Sequence, residues 1–269
     1  MGGAIDAAAL RSAYERDGFY GPVPVMARAE AAAHRARLEA AERERGPMHY
    51  RVKPHLVFTS AAEIARHPAL LDAVEALLGP DILVWDSSYV IKEPDKRRFV
   101  SWHQDLTYWG LDGDRLVTAW VALTDATPEN GCMRMLPGSH RAGRRAHHDG
   151  RAADNILHRG QTIALGAGEE AAVRDLPLAA GEASLHHGWT LHASNPNRTA
   201  GRRIGLTVQY AAPQLRQVVG AWDSATLVRG QDRFGHFARE PVPLSDFDEA
   251  DLAYQAIVER RKREVYDRA

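Results

Sequence analysis

Residues 99–109 read FVSWHQDLTYW, and the reading of this stretch decides the fold. β-prone and aromatic residues flank a His-Gln-Asp triplet on both sides, as a strand end inside a core requires. On a strand, residues i and i+2 point the same way. His103 and Asp105 are therefore expected to offer an imidazole and a carboxylate to one point. A non-haem iron centre of the facial-triad type needs two His and one carboxylate on one face of the ion, with the other face open. A second His must then come from elsewhere in the chain.

The triplet alone is not specific. With 13 His and 19 Asp in 269 residues, chance supplies about one His-x-Asp pair, and the chain has two. The other, His147-His148-Asp149, lies in the polar basic run RRAHHDGR without a strand pattern, and reads as a solvated loop.

Working outward, short β-prone runs recur between turn signals: 82–91, 99–103, 116–123, 132–136, 161–165, 182–186 and 204–210. Seven such runs predict a sandwich or barrel. Before them the chain reads as helical. Asp6 caps a helix that Gly18 ends, 27–45 is rich in Ala, Glu and Arg, and 68–78 carries an apolar stripe closed by Gly79. Phe19 to Val25, with two prolines, reads as an edge segment. A C-terminal helix is expected over about 246–262, with Ser245 and Asp248 at capping-box spacing. The prediction is a single domain over 1–269, mainly β with flanking helices and a core at about 82–212. Residues 141–180 are too weakly patterned for an ordinary connection, and read as a lid or a mobile stretch.

Composition narrows the class. The net charge of −1 argues against a nucleic-acid binder or an anionic-membrane binder. One Cys excludes a disulfide framework and a Cys-rich zinc module, and fits a reducing cytoplasm. Any bound metal must therefore be held by nitrogen and oxygen. No leader pattern is visible in 1–10, and no apolar run approaches membrane-spanning length.

The partner segment is SLHHGWTLHASNPNRTAGRRIGLTVQY, residues 184–210. It reads as a strand end at His192, a turn-rich loop and a return strand. On the return strand Arg203, Gly205, Thr207 and Gln209 share one face, and Ile204, Leu206, Val208 and Tyr210 the other. The apolar face should pack on helices, which turns Arg203 inward. A buried Arg needs an anion, and a ligand carboxylate suits the guanidinium fork.

Three segments together resemble the phytanoyl-CoA dioxygenase family of iron(II)- and 2-oxoglutarate-dependent oxygenases. They are WHQDLTYWGL with VTAWVAL, then ENGCMRMLPGSHR, then HASNPNRTAGRR, where the family's Arg follows its His by eleven positions and so falls on Arg203. The resemblance covers about 82–212 and implies a double-stranded β-helix, the cupin-like jelly-roll. It implies that His103, Asp105 and His192 bind Fe(II). It implies that Arg203, Ser194 and Trp120 bind 2-oxoglutarate, and that O2 is the co-reactant. The alternation agrees for Trp120, which shares a strand face with Thr118 and Ala122. Related halogenases carry Ala or Gly at the carboxylate position, so Asp105 implies a hydroxylase.

For a small-molecule substrate, Tyr108, Trp109 and Tyr89 are candidate pocket residues. The basic run with Arg144 and Arg145 is either a solvated face or a lid that grips a substrate anion. Met133 and Met135 read as core or pocket wall, Cys132 and His140 as structural, and His187 as structural or as supporting a ligand. Desaturation, epoxidation or ring closure at the same iron, and a non-catalytic jelly-roll binding a metal or ligand, are the competing readings. No oligomeric state is legible in the sequence.

Overall fold

The computed structural model describes residues 5–149, 152–157 and 160–266. The expectations that touch residues 1–4 and Arg151 lie outside them.

Helix α1 (Ala7–Asp17) starts where Asp6 Oδ1 accepts the backbone N–H groups of Ala8 and Ala9, and ends at Gly18 in the left-handed region (φ 83°). Helices α2 (Arg28–Arg45), α3 (Thr59–Ala65) and α4 (Pro68–Leu78) follow the edge strand β1 (Phe19–Pro24). The later strands are β2 (Ile82–Lys92), β3 (Val100–His103), β4 (Leu116–Ala122), β5 (Met133–Met135), β6 (His148–Asp149), β7 (Gln161–Thr162), β8 (Arg174–Leu176), β9 (Glu182–His187), β10 (His192–Ser194), β11 (Arg203–Ala211), β12 (Ser224–Arg229) and β13 (Ala238–Arg239). Helix α5 (Ala167–Ala172) precedes β8, and α6 (Glu249–Tyr266) closes the described chain.

Among the described residues the larger sheet runs β1-β9-β4-β11-β2-β12-β13, and a second runs β3-β10-β5-β8. The large sheet's outer face is apolar. Ile204, Leu206, Val208 and Tyr210 join Val117, Ala119 and Val121 in one buried cluster with Leu10, Leu38, Ile64 and Leu70 from the four N-terminal helices. Tyr210 also donates its hydroxyl to the Ala65 carbonyl at 2.8 Å. The inner face meets the second sheet through Trp120 and Ala122 against Met133, Met135 and Leu176. Met133 and Met135 are therefore core.

Three expectations change. The helix α6 starts at Glu249, with Asp248 Oδ1 accepting the Ala250 N–H, so Asp248 is the cap and Ser245 is not. His148–Asp149 is not a free loop, since β6 pairs with β7. The sheet runs past the expected limit of 212 through β12 and β13, and β12 gave no sequence signal because it turns Ser224 and Thr226 towards buried Glu240.

Those polar groups form a buried network. Lys53 Nζ donates to Glu240 Oε1 at 2.5 Å and to the Ser224 carbonyl at 2.7 Å, and Ser224 and Thr226 donate to Glu240 at 2.7 Å each. Both charged side chains are 0% exposed. Burial raises the Glu240 carboxyl, but the Lys53 charge and the His55 hydrogen bond outweigh it and hold the group down at about 2. No helix among the described residues is long and apolar enough to cross a membrane.

Breaking this pair strands a buried ammonium. Glu240→Gln is expected to cost about 3–5 kcal/mol at neutral pH in denaturant unfolding. The native carboxyl titrates below its ordinary value of 4.5, so its stabilisation is present above that value. The gap between wild type and variant should therefore close as pH falls from 4.5 towards about 2.

Candidate metal and anion site

Neighbouring strands of the second sheet bring His103 and His192 together. Strand β10 pairs antiparallel with β3, with His192 opposite His103 and the ring centroids 4.1 Å apart. Asp105 opens a single 3-10 turn rather than continuing the strand. Gln104 between them stays extended (φ −122°, ψ 128°), so the i, i+2 argument still holds. One ligand atom from each of His103, Asp105 and His192 lies within 4.8 Å of the others, the one such group among the described residues.

The protonation pattern is fixed locally. His103 Nδ1 lies 2.9 Å from the Ser101 carbonyl and His192 Nδ1 3.0 Å from the Thr190 carbonyl. A carbonyl only accepts, so both Nδ1 atoms carry hydrogen and both Nε2 atoms keep a free lone pair. These Nε2 atoms face Asp105 Oδ1 at 3.4 and 3.6 Å. Burial, then His103, pushes His192 down to about 3, which keeps it neutral at physiological pH. Burial alone would raise Asp105, but the surrounding imidazoles, His192 first, outweigh it and hold the carboxyl well below the usual range.

The second feature is a cation without an anion. Arg203 is 1% exposed. One guanidinium nitrogen donates to the Gly131 carbonyl at 2.8 Å, and the group lies 4.9 Å from the Trp120 ring centre. Its Nε and Nη2 have no partner. Burial lowers it to about 10, so it remains charged. Lys92 stands opposite Arg203 in the β2–β11 register and is also buried. Its Nζ donates to the carbonyls of Ser194 and Asn195. No ion pair joins Arg203 or Lys92 to a carboxylate among the described residues. A buried guanidinium with unmet N–H groups beside a buried amine fits a carboxylate ligand. Gly205 makes the arrangement possible, since a Cβ there would sit 2.1 Å from the Trp120 ring.

A family model for phytanoyl-CoA dioxygenase (PhyH) matches residues 14–205. The chain belongs to this family. The apo structure of the non-heme monooxygenase ThoJ superposes on this PhyH chain with a TM-score of 0.85 at 38% identity, covering 96% of this chain and 97% of that one. A probable alpha-ketoglutarate-dependent hypophosphite dioxygenase of Stutzerimonas stutzeri is 30% identical over 171 residues, 62% of this chain and 58% of that protein. The L-proline trans-4-hydroxylase of Streptomyces griseoviridis is 31% identical over 165 residues, 55% of this chain and 62% of that protein. The matches thus span about three fifths of these curated relatives.

The remaining candidates in this PhyH chain divide. Trp109 is buried against Trp85, ring centres 5.2 Å apart, and Tyr108 is half-buried beside His147. Both line a cleft with Trp85, Trp222 and Lys262. Tyr89 is corrected: it is fully buried among the helices beside Phe58, on the sheet face away from the site. Its neighbour in the alternation is Ile91, which faces the helices too. Arg145 is spent on Glu169 at 2.5 Å, while Arg144 is exposed.

His147 is also corrected from a solvated loop residue, since its Nε2 accepts the Gln104 N–H at 3.2 Å. Gln104 further donates to the Gly143 and Trp189 carbonyls and accepts the Arg145 N–H, each at 2.8 Å. The segment after Gly143 is therefore stitched to the residue between His103 and Asp105. His187 accepts the Trp189 N–H at 3.1 Å and supports no ligand, whereas its neighbour His186, missed in the sequence, touches Asp105. His140 contacts the Glu15 carbonyl at 3.2 Å, and Cys132 is buried with Trp120.

Gly205→Ala is expected to force the Trp120 ring from its place beneath Arg203. Denaturant unfolding should show a loss of about 1–3 kcal/mol, the usual cost of overpacking.

Proposed function

We propose that this chain is an Fe(II)- and 2-oxoglutarate-dependent dioxygenase that hydroxylates an unactivated carbon of a small-molecule metabolite, releasing succinate and CO2. The observation that carries the reading is the combination of the three-residue ligand group with a buried, charged, half-unpaired Arg203 on the adjoining sheet. The core is read as a double-stranded β-helix, the jelly-roll, within one domain that acts in the cytoplasm, a reading with which the single cysteine agrees.

In this reading His103 Nε2, Asp105 Oδ1 and His192 Nε2 hold the metal. When bound, iron with 2-oxoglutarate and O2 supplies the oxidising chemistry, one oxygen atom going to succinate and one to the substrate carbon. Arg203 takes the distal carboxylate of 2-oxoglutarate through the guanidinium nitrogens that lack partners, and the Lys92 amine stands beside it. Ser194 stands on the strand that carries His192 and lines the same end. Trp120 walls the seat, and the apolar inner cluster around it keeps water out. Tyr108 and Trp109 belong to the substrate side, where the chain runs on from Asp105. A carboxylate at position 105 fills the place that a halide would need, so assays containing chloride are expected to give no chlorinated product.

The test is an anaerobic titration of the Fe(II)-loaded protein with 2-oxoglutarate. A visible charge-transfer band is expected, absent in His192→Ala. In Arg203→Met the apparent dissociation constant should rise roughly 10–100-fold, as loss of a charged hydrogen bond of about 1.5–3 kcal/mol implies. A wild-type protein that gives no band, or an Arg203→Met that titrates unchanged, overturns the proposal.

A further inference from the structure

Three buried imidazoles crowd the ligand group, and they are not equivalent. His103 and His192 anchor Nδ1 on a carbonyl and leave Nε2 free. His186 does the reverse. Its Nε2 lies 3.2 Å from Asp105 Oδ2, while its Nδ1 is buried with no partner. A carboxylate only accepts, so the hydrogen sits on Nε2. The bare lone pair left at Nδ1 costs less than a buried N–H with no acceptor would. His186 is 1% exposed and its ring centre is 4.6 Å from that of His192, yet it lies outside the mutually close group of three.

A second donor meets the same oxygen. Thr118 Oγ1 donates to Asp105 Oδ2 at 3.1 Å. Thr118 and His186 are direct cross-strand partners on β4 and β9, so the sheet register alone delivers both donors to one atom. Oδ1 is left turned towards His103 and His192.

We propose that His186 is a positioning residue for the metal centre: with Thr118 it holds Oδ2 of Asp105 away from the ion, so that Asp105 ligates through Oδ1 alone. The inference rests on the function proposed above. A carboxylate that chelates through both oxygens takes one more position from the ion. Holding Oδ2 back keeps that position for co-substrate and oxygen. It also fixes the carboxylate before metal arrives, as outer hydrogen bonds do for metal ligands in general.

The test compares two amides of different reach by Co(II) titration of the metal-free protein against a competing chelator. In His186→Gln the amide nitrogen takes the place of Nε2, and cobalt affinity should stay within about threefold of wild type. In His186→Asn the nitrogen takes the place of Nδ1 and falls short of Asp105. Affinity should drop about 10–100-fold. Its visible cobalt bands should also weaken, because a second carboxylate oxygen raises the coordination number. Thermal midpoints of the metal-free variants should agree, which a merely structural role would not give. Equal affinity in both variants, whether kept or lost, overturns the inference. His192→Ala separates the two levels. If it loses cobalt while His186→Asn keeps it, only the positioning role fails. If His192→Ala keeps cobalt, the metal centre fails with it.

Discussion

The site depends on the two-residue period of one sheet. In β11, β4 and β9 the odd and even positions cannot exchange faces without moving every apolar side chain out of the helical layer. With Ile204, Leu206, Val208 and Tyr210 committed outward, Arg203, Gly205, Thr207 and Gln209 have no choice but to face in. The same rule places Thr118 and Trp120 inward on β4, and Ser184 and His186 inward on β9. Adjacent strands then line up a polar rung, His186–Thr118–Gln209–Asp86, directly across the sheet. Asp105 is received at one end of that rung. The other sheet closes the inner core with Met133, Met135 and Leu176, and it sets His103 against His192.

Much of this was legible before any coordinates. Alternation in 203–210 placed Arg203 inside, and aromatic context separated the His103–Asp105 pair from the one at His147. The misses have definite physical causes. His187 was read as structural or as supporting a ligand, but the alternation of Ala183 and Leu185 on the helical face puts His186 on the inner one. That signal was present in residues 182–187. For Tyr89, pairing with Ile91 on one face held the same information. It was blurred because a bulge at Trp85 shifts the parity of β2, so that Ile82 and Val84 share the outer face with Tyr89 and Ile91. Contacts distant in sequence were beyond reach: Arg145 with Glu169, Gln104 with Gly143, and the Lys53–Glu240 network that gives β12 its polar face.

The near-zero net charge hides a strong internal separation. One end of the site holds the Asp105 carboxylate among three imidazoles, ready for a cation. The other end holds Arg203 and Lys92 side by side, with burial, then Arg203, pushing the lysine down to about 6. Neither end is neutralised by the chain itself. A metal and a dicarboxylate together would satisfy both, and each would lower the cost of binding the other through the shared enclosure.

Arg203 therefore also bears on the lifetime of the fold. The unfolded chain hydrates its guanidinium fully, while the folded chain buries it with two nitrogens unmet. An anion that seats there binds the native state alone, and by mass action adds about 2.7 kcal/mol at a hundred times its dissociation constant. For a marginally stable protein that is enough to change the steady-state amount surviving proteolysis several-fold. An anion seated at Arg203 would in this way raise the number of copies of the protein that persist.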